Sequence, residues 1–253
     1  MSHVWKRTLL WLLGVVLVAA LIAVAAFVWW GLHPLGPAPS ALAALTGGDG
    51  VTVRQTAAGW EFAPEGVEAS AALVFYPGGH VDARSYAPYA RDVAKRGYLV
   101  VVPVMPLSLA VLAPDAADKA RAAHPDVKRW TLGGHSLGGV MAAAYAAKHA
   151  ESVGGLVLLA SYPAAGTDLV RSTIRVASLL GTQDTVINRA AWKAGKALLP
   201  TETDFVTLVG GNHGQFGDYG VQPGDTPDPT MPAAEQRRVA TDATMAVLRA
   251  TSK

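Results

Sequence analysis

The sequence has no cysteine. That absence excludes disulfides, zinc thiolates and a cysteine nucleophile together. Charge is also scarce: 16% of the 253 residues are Asp, Glu, Lys or Arg, and the net charge is +2. No basic cluster occurs in the body of the chain, which argues against a nucleic-acid surface. Between Arg7 and Arg54 there is neither Lys nor Arg. Internal repeats are absent.

Apolar residues are abundant, at 51% of the chain, and much of the excess lies at the N-terminus. Leu9 to Trp30 carries no charge. As a helix it is long enough to cross a hydrocarbon core of roughly 30 Å. Lys6 and Arg7 precede it, so the positive-inside bias puts the N-terminus in the cytoplasm and the body outside. Trp5 and Trp11 at one end, and Trp29 and Trp30 at the other, suit the two interfacial belts. The expectation is a single-pass protein of the cell membrane with its body on the extracytoplasmic side. The rival is a cleaved signal peptide, with Ala23–Val24–Ala25 as the small-residue site and a secreted product. The apolar run is too long for an ordinary signal core. It is also apolar on every face, which a buried core helix is not.

Gly31 to Gly50 is dense in Pro and Gly and reads as a linker. The expected organisation is a signal anchor over residues 1–32, a linker over 33–50 and one domain over 51–253. In that domain apolar runs alternate with helical patterns. Strands are expected at 51–55, 60–62, 71–76, 98–103, 128–132, 153–160, 174–180 and 204–209. Helices are expected at 85–96, 114–124, 137–149, 188–199 and 232–250. Several strands are apolar throughout, as strands buried on both faces must be. This rhythm predicts an α/β fold with a mainly parallel central sheet flanked by helices. Ligands of such sheets bind beyond the carboxyl ends of the strands, so functional residues should follow apolar runs directly.

The stretch GGHSLGG, residues 133–139, follows Trp130–Thr131–Leu132 and precedes an Ala-rich helix. Gly134–His135–Ser136–Leu137–Gly138 fits G-x-S-x-G, a nucleophile elbow that projects Ser136 Oγ above the sheet. The Leu137 N–H then lies at a helix N-terminus, where it stabilises developing negative charge. An ordinary Gly-rich turn is the bland alternative. A serine nucleophile needs a base, and the base needs an orienting carboxylate. Two histidines follow Ser136. His149 falls at the far end of the serine's own helix, whereas His213 falls just past a strand. Asp184 is the carboxylate with both the right order and a strand-end position, with Asp168 the runner-up and Asp204 and Asp218 less well placed. The oxyanion site needs a second N–H from the loop after an early strand. Pro77–Gly78–Gly79–His80 fits, with Gly79 the first choice of donor and His80 the second.

"FYPGGHVDARSYAPYARDVAKRGYLVVVPVMP", "GGHSLGG", "GLVLLASYPA", "LLGTQDTVI" and "GGNHGQFGDYG" together make residues 70–250 resemble the alpha/beta-hydrolase superfamily. The closest likeness is to its small lid-poor branch, the fold-5 and dienelactone-hydrolase-like group. The resemblance implies Ser136 as nucleophile, Asp184 as acid, His213 as base, and the Leu137 and Gly79 N–H groups as the oxyanion hole. It implies no metal and no organic cofactor. No long cap lies between the 153–160 strand and Asp184, so the site is expected to be open. The cysteine nucleophile of dienelactone hydrolases has no counterpart here.

The expected reaction is two-step hydrolysis of a carboxylic ester, with a small-molecule ester or lipid-like acyl compound as substrate. An acyltransferase with the same triad is the alternative, and a catalytically silent, membrane-held binding protein is a third. Met105–Leu112 and Ser161–Tyr162–Pro163 are candidate acyl-pocket walls, with core packing as the bland alternative. The Pro/Gly-rich loop from Gln215 to Asp228 is a candidate roof, and its carboxylates fit no EF-hand spacing.

Overall fold

The structure, a computed structural model, describes residues 3–66 and 69–251. The outermost residues of the expected 1–32 and 51–253 spans lie outside them. The eight strands are β1 (Val51–Thr56), β2 (Gly59–Pro64), β3 (Ala71–Tyr76), β4 (Leu99–Val102), β5 (Arg129–His135), β6 (Val153–Leu159), β7 (Arg175–Gly181) and β8 (Asp204–Leu208). They form one sheet in the order β1-β2-β4-β3-β5-β6-β7-β8. β1 and β2 make an antiparallel hairpin, and β2 also runs antiparallel to β4. All pairings from β4 to β8 are parallel.

The helices are α1 (His3–Leu32), α2 (Pro39–Ala43), α3 (Ala87–Ala94), α4 (Ala117–Ala123), α5 (Leu137–Lys148), α6 (Arg189–Lys196) and α7 (Ala233–Thr251). Successive strand residues point to opposite faces, and the core divides accordingly. Leu73, Phe75, Val157 and Leu179 face α3 and α7. Ala72, Val74, Tyr76, Trp130 and Leu132 face α4 and α5. Strands sandwiched in this way have to be apolar on both sides, which is why β3 and β4 carry no polar alternation. Truncating one of these fully buried leucines would cost about 2–5 kcal/mol.

Most observed elements fall where the sequence pattern put them, with shifts at the ends. The helix expected from Ser85 begins as a 3-10 turn, Ala83–Tyr86, capped by Asp82, and the α-helix starts beside Pro88. That is where proline is tolerated, because its missing N–H is an orphan there. The helix expected from Asn188 begins one residue later, with the Asn188 side chain accepting from the Ala191 N–H as its cap. β5 extends three residues past its expected end at Leu132, through Gly133 to His135. The glycines there are strand rather than turn, because β3 and β6 close on them from both sides.

Over Arg7–Leu32, α1 is long and apolar enough to cross a membrane, and it stands exposed up to its carboxyl end, where Gly31 is buried. Residues 33–50 connect α1 to the sheet but do not run free. The Leu35 N–H donates to the His80 carbonyl, the Ala38 N–H donates to the Asp218 carbonyl, and α2 buries Ala41. Arg91 ties the end of this segment down by donating to the carbonyls of Thr46 and Gly48.

Candidate active site

Ser136 sits between β5 and α5 with φ 51° and ψ −125°, outside the usual regions for an L-residue. Such strain costs about 1–3 kcal/mol and persists only where the surroundings impose it. Here they do. A Cβ at Gly134 would lie 2.5 Å from the Gly138 carbonyl carbon, and one at Gly138 would lie 2.2 Å from the Tyr76 and Pro77 carbonyl oxygens. Glycine at both positions lets the strand, the turn and β3 approach at backbone distance. The Ser136 N–H donates to the Leu159 carbonyl, and the Ser161 hydroxyl donates to the Ser136 carbonyl at 2.7 Å.

His213 follows β8 and Asp184 follows β7, so both lie at the carboxyl end of the sheet, as Ser136 does. His213 Nδ1 is 2.9 Å from Asp184 Oδ2, and both side chains are buried. The other carboxylate oxygen, Oδ1, accepts the Val186 N–H at 3.0 Å and the Ile187 N–H at 2.9 Å. A carboxylate can only accept, so Nδ1 carries a proton, and in the neutral tautomer it is Nε2 that holds the lone pair. Ser136, Leu137 and His213 line one cleft of about 260 Å³, together with Val140, Tyr162, Val186 and Ile187.

The two candidate oxyanion donors separate clearly. The His80 N–H is already committed, donating to the Ser108 carbonyl at 2.8 Å. Among the described residues, the Gly79 N–H and the Leu137 N–H have no acceptor. The two residues are neighbours: a Cβ at Gly79 would lie 3.0 Å from Leu137 Cδ2. His149 caps the far end of α5 and stacks on Tyr145, away from the site. Asp168 is exposed in a turn of its own, and Asp218 accepts from Ser40 and Arg237.

Of the two stretches read as pocket walls, Ser161 and Tyr162 line the cleft. From the other, Leu109 comes within 3.8 Å of the Gly79 Cβ position. The loop after His213 is a strap rather than a free flap. Asp225 accepts from the Gly214 N–H through one oxygen and from the Thr185 N–H through the other. Thr226 adds a bond to the Gln183 carbonyl and one from the Asn212 amide. The residues that follow β7 and β8 are thereby tied together. Among the described residues, no three His, Asp or Glu side chains gather as metal ligands would.

In the sequence pattern His135 figures only as part of the elbow. Its ring lies 4.6 Å from that of His213, fully buried, and its Nδ1 is 2.8 Å from the Tyr86 hydroxyl. Tyr86 in turn accepts the Gly78 N–H at 2.9 Å, so its hydroxyl bridges the Gly78 backbone and the His135 ring. Burial, and then the nearby His213, hold the His135 pKa well below its ordinary 6.5. A neutral ring therefore lies beside His213, where a cation would oppose its protonation.

The profile of the alpha/beta hydrolase family matches residues 72–238. The chain belongs to the alpha/beta-hydrolase family. Solved structures agree on this hydrolase fold. A CIB-like hydrolase from Thermoplasma acidophilum matches with a TM-score of 0.59 at 15% identity, over 78% of this chain and 100% of its own. Dienelactone hydrolase from Anabaena variabilis matches with a TM-score of 0.54 at 14% identity, over 79% of this chain and 100% of its own. The sequence search found no match among curated proteins.

Proposed function

We propose that this alpha/beta hydrolase is a membrane-anchored serine hydrolase of carboxylic esters. The observation that carries the reading is the buried Asp184–His213 pair, 2.9 Å apart, whose His213 lines the same cleft as a strained Ser136. Ser136 Oγ attacks the ester carbonyl carbon while His213 Nε2 takes its proton. The carbonyl oxygen becomes an oxyanion held by the Leu137 and Gly79 N–H groups. The tetrahedral intermediate collapses, the C–O bond to the alcohol breaks, and His213 returns the proton to the leaving oxygen. Water then attacks the acyl-enzyme with His213 again as base, releasing the acid and restoring Ser136. Asp184 holds the imidazole in the tautomer this needs and stabilises the imidazolium. Every group required is a side chain or backbone N–H of this chain.

The anchor is α1, with the N-terminus cytoplasmic and the sheet on the other side, supported by Arg7 before the span and the absence of Lys and Arg from there to Arg54. The test is labelling of the full chain by a fluorophosphonate, beside Ser136→Ala and His213→Ala. Labelling of the wild type alone is expected. A folded wild type that stays unlabelled overturns the reading. Esters supplied with and without an alcohol acceptor then separate hydrolysis from acyl transfer.

A further inference from the structure

The carboxyl end of α1 is clasped to the loop that holds Gly79. The His80 ring stacks on Trp30 with centroids 3.9 Å apart and planes 11° from parallel, and His80 Nε2 is 2.8 Å from the Trp30 carbonyl oxygen. The Ser108 hydroxyl donates to the Gly31 carbonyl at 3.2 Å. A Cβ at Gly31 would lie 2.7 Å from Leu107 Cβ, so the helix meets the 104–112 segment at backbone distance. His80, Leu107 and Ser108 all have positive φ (57°, 49° and 56°), and all three belong to this junction. Strain of that kind in non-glycine residues is held by its contacts, so the joint is specific.

This joint fixes where the site lies relative to a membrane. Trp29 and Trp30 end the apolar run, at the level of the interfacial aromatic belt. Gly79 is one residue from the ring stacked on Trp30, so the oxyanion site is on the order of 10 Å from that belt, allowing a 3.8 Å Cα step. The headgroup region on each side of a bilayer is about 5–8 Å deep, so the site lies at or just beyond its outer edge. Beside the helix end, the 104–112 segment leaves Val104, Val111 and Leu112 at 58%, 47% and 50% exposure. It is continuous with Leu109, which reaches the Gly79 position. Leu32 of the helix is exposed as well. An apolar lip that adjoins a membrane helix is covered by the surface that helix already occupies.

We propose that the 104–112 lip is seated in the interfacial layer of the bilayer beside α1, and that the Ser136 cleft takes hydrophobic acyl esters presented from that bilayer. The substrate half rests on the serine-hydrolase reading, and both halves rest on α1 remaining attached.

The absence of cysteine makes a direct test available. Leu112→Cys in the full chain, carrying a polarity-sensitive NBD fluorophore, is reconstituted in phosphatidylcholine vesicles. Glu151→Cys, before β6 and hence at the opposite end of the sheet, is the control. The expected result is blue-shifted emission, quenched by brominated lipid, at 112 and neither effect at 151. Identical emission at the two positions, or loss of α1 from the exported protein by mass, overturns the seating.

The second arm uses 4-methylumbelliferyl oleate dissolved in the vesicles and 4-methylumbelliferyl acetate in buffer. Val111→Asp and Leu112→Asp are expected to lower oleate turnover at least tenfold and to leave acetate turnover within twofold. Unchanged oleate turnover, or equal loss on both esters, overturns the substrate half. If neither ester is cut and the fluorophosphonate does not label, the hydrolase reading falls with it, and the fluorescence alone decides the seating.

Discussion

Asp184→Asn puts the proposed triad to its sharpest test, because the carboxylate is surrounded by three N–H donors. Val186 and Ile187 donate to Oδ1, and His213 Nδ1 donates to Oδ2. An asparagine has one accepting oxygen and one donating NH₂. With its oxygen toward the two backbone N–H groups, its NH₂ faces His213 Nδ1. The imidazole must then carry its proton on Nε2 and aim a donor at Ser136, which removes the base. With the amide reversed, two buried backbone N–H groups face an NH₂, at a cost of about 1–3 kcal/mol for each one left unsatisfied. The first arrangement is favoured. The fold should persist with a modest drop in Tm, while kcat falls by about 10⁴. That factor is about 5 kcal/mol of transition-state stabilisation. The assay is kcat/KM on a soluble ester, with fluorophosphonate labelling rate and thermal melting on the same preparations. A variant that melts like the wild type and keeps its labelling rate within tenfold would refute the role of Asp184 and the tautomer argument with it.

Three further substitutions probe the surroundings. Gly138→Ala drives a Cβ to 2.2 Å from the Tyr76 and Pro77 carbonyl oxygens, so urea unfolding should show a loss of at least about 1–3 kcal/mol, together with loss of labelling. His135→Asn addresses pH. The folded-state pKa of His135 is lowered, so below 6.5 the unfolded chain binds a proton that the folded chain does not. Stability should therefore fall by up to about 1.4 kcal/mol per pH unit from there down to the folded-state pKa, and the variant should show a shallower slope in melts between pH 6.5 and 4.5. Trp30→Ala removes the ring on which His80 stacks and should lower kcat on a soluble ester about fivefold with little change in KM, read from steady-state kinetics.

The alternation of apolar runs with helical patterns made the parallel sheet legible, because doubly covered strands admit few polar residues. The placing of Ser136, Asp184 and His213 at one end of the sheet was legible for a related reason: each comes directly after such a run, where a parallel sheet presents its loops. The choice between Gly79 and His80 was not, because it depends on which N–H the Ser108 carbonyl claims, a contact with no sequence signature. The docking of residues 33–50 was equally silent. It rests on backbone bonds from Leu35 and Ala38, whereas the composition there is that of a linker. Gly133 and Gly134 read as turn because glycine is rare in strands, yet close neighbours on both sides are what make it necessary there. Asp225 was noticed only as a loop carboxylate, since nothing local shows that the chain folds back to Gly214 and Thr185.

The strand order has a consequence for the way the protein is made. From β3 onward, β5, β6, β7 and β8 are added at one growing edge of the sheet in the order in which they leave the ribosome. β5 pairs with β3, and β6, β7 and β8 each pair with the strand synthesised immediately before, so the sheet extends without waiting for later segments. His213 arrives only after β8, and its strap after that. A nascent chain thus carries the Ser136 turn long before His213 has been made. Under the proposed triad, assembly of the sheet doubles as a timer that leaves Ser136 without its base until synthesis is nearly complete.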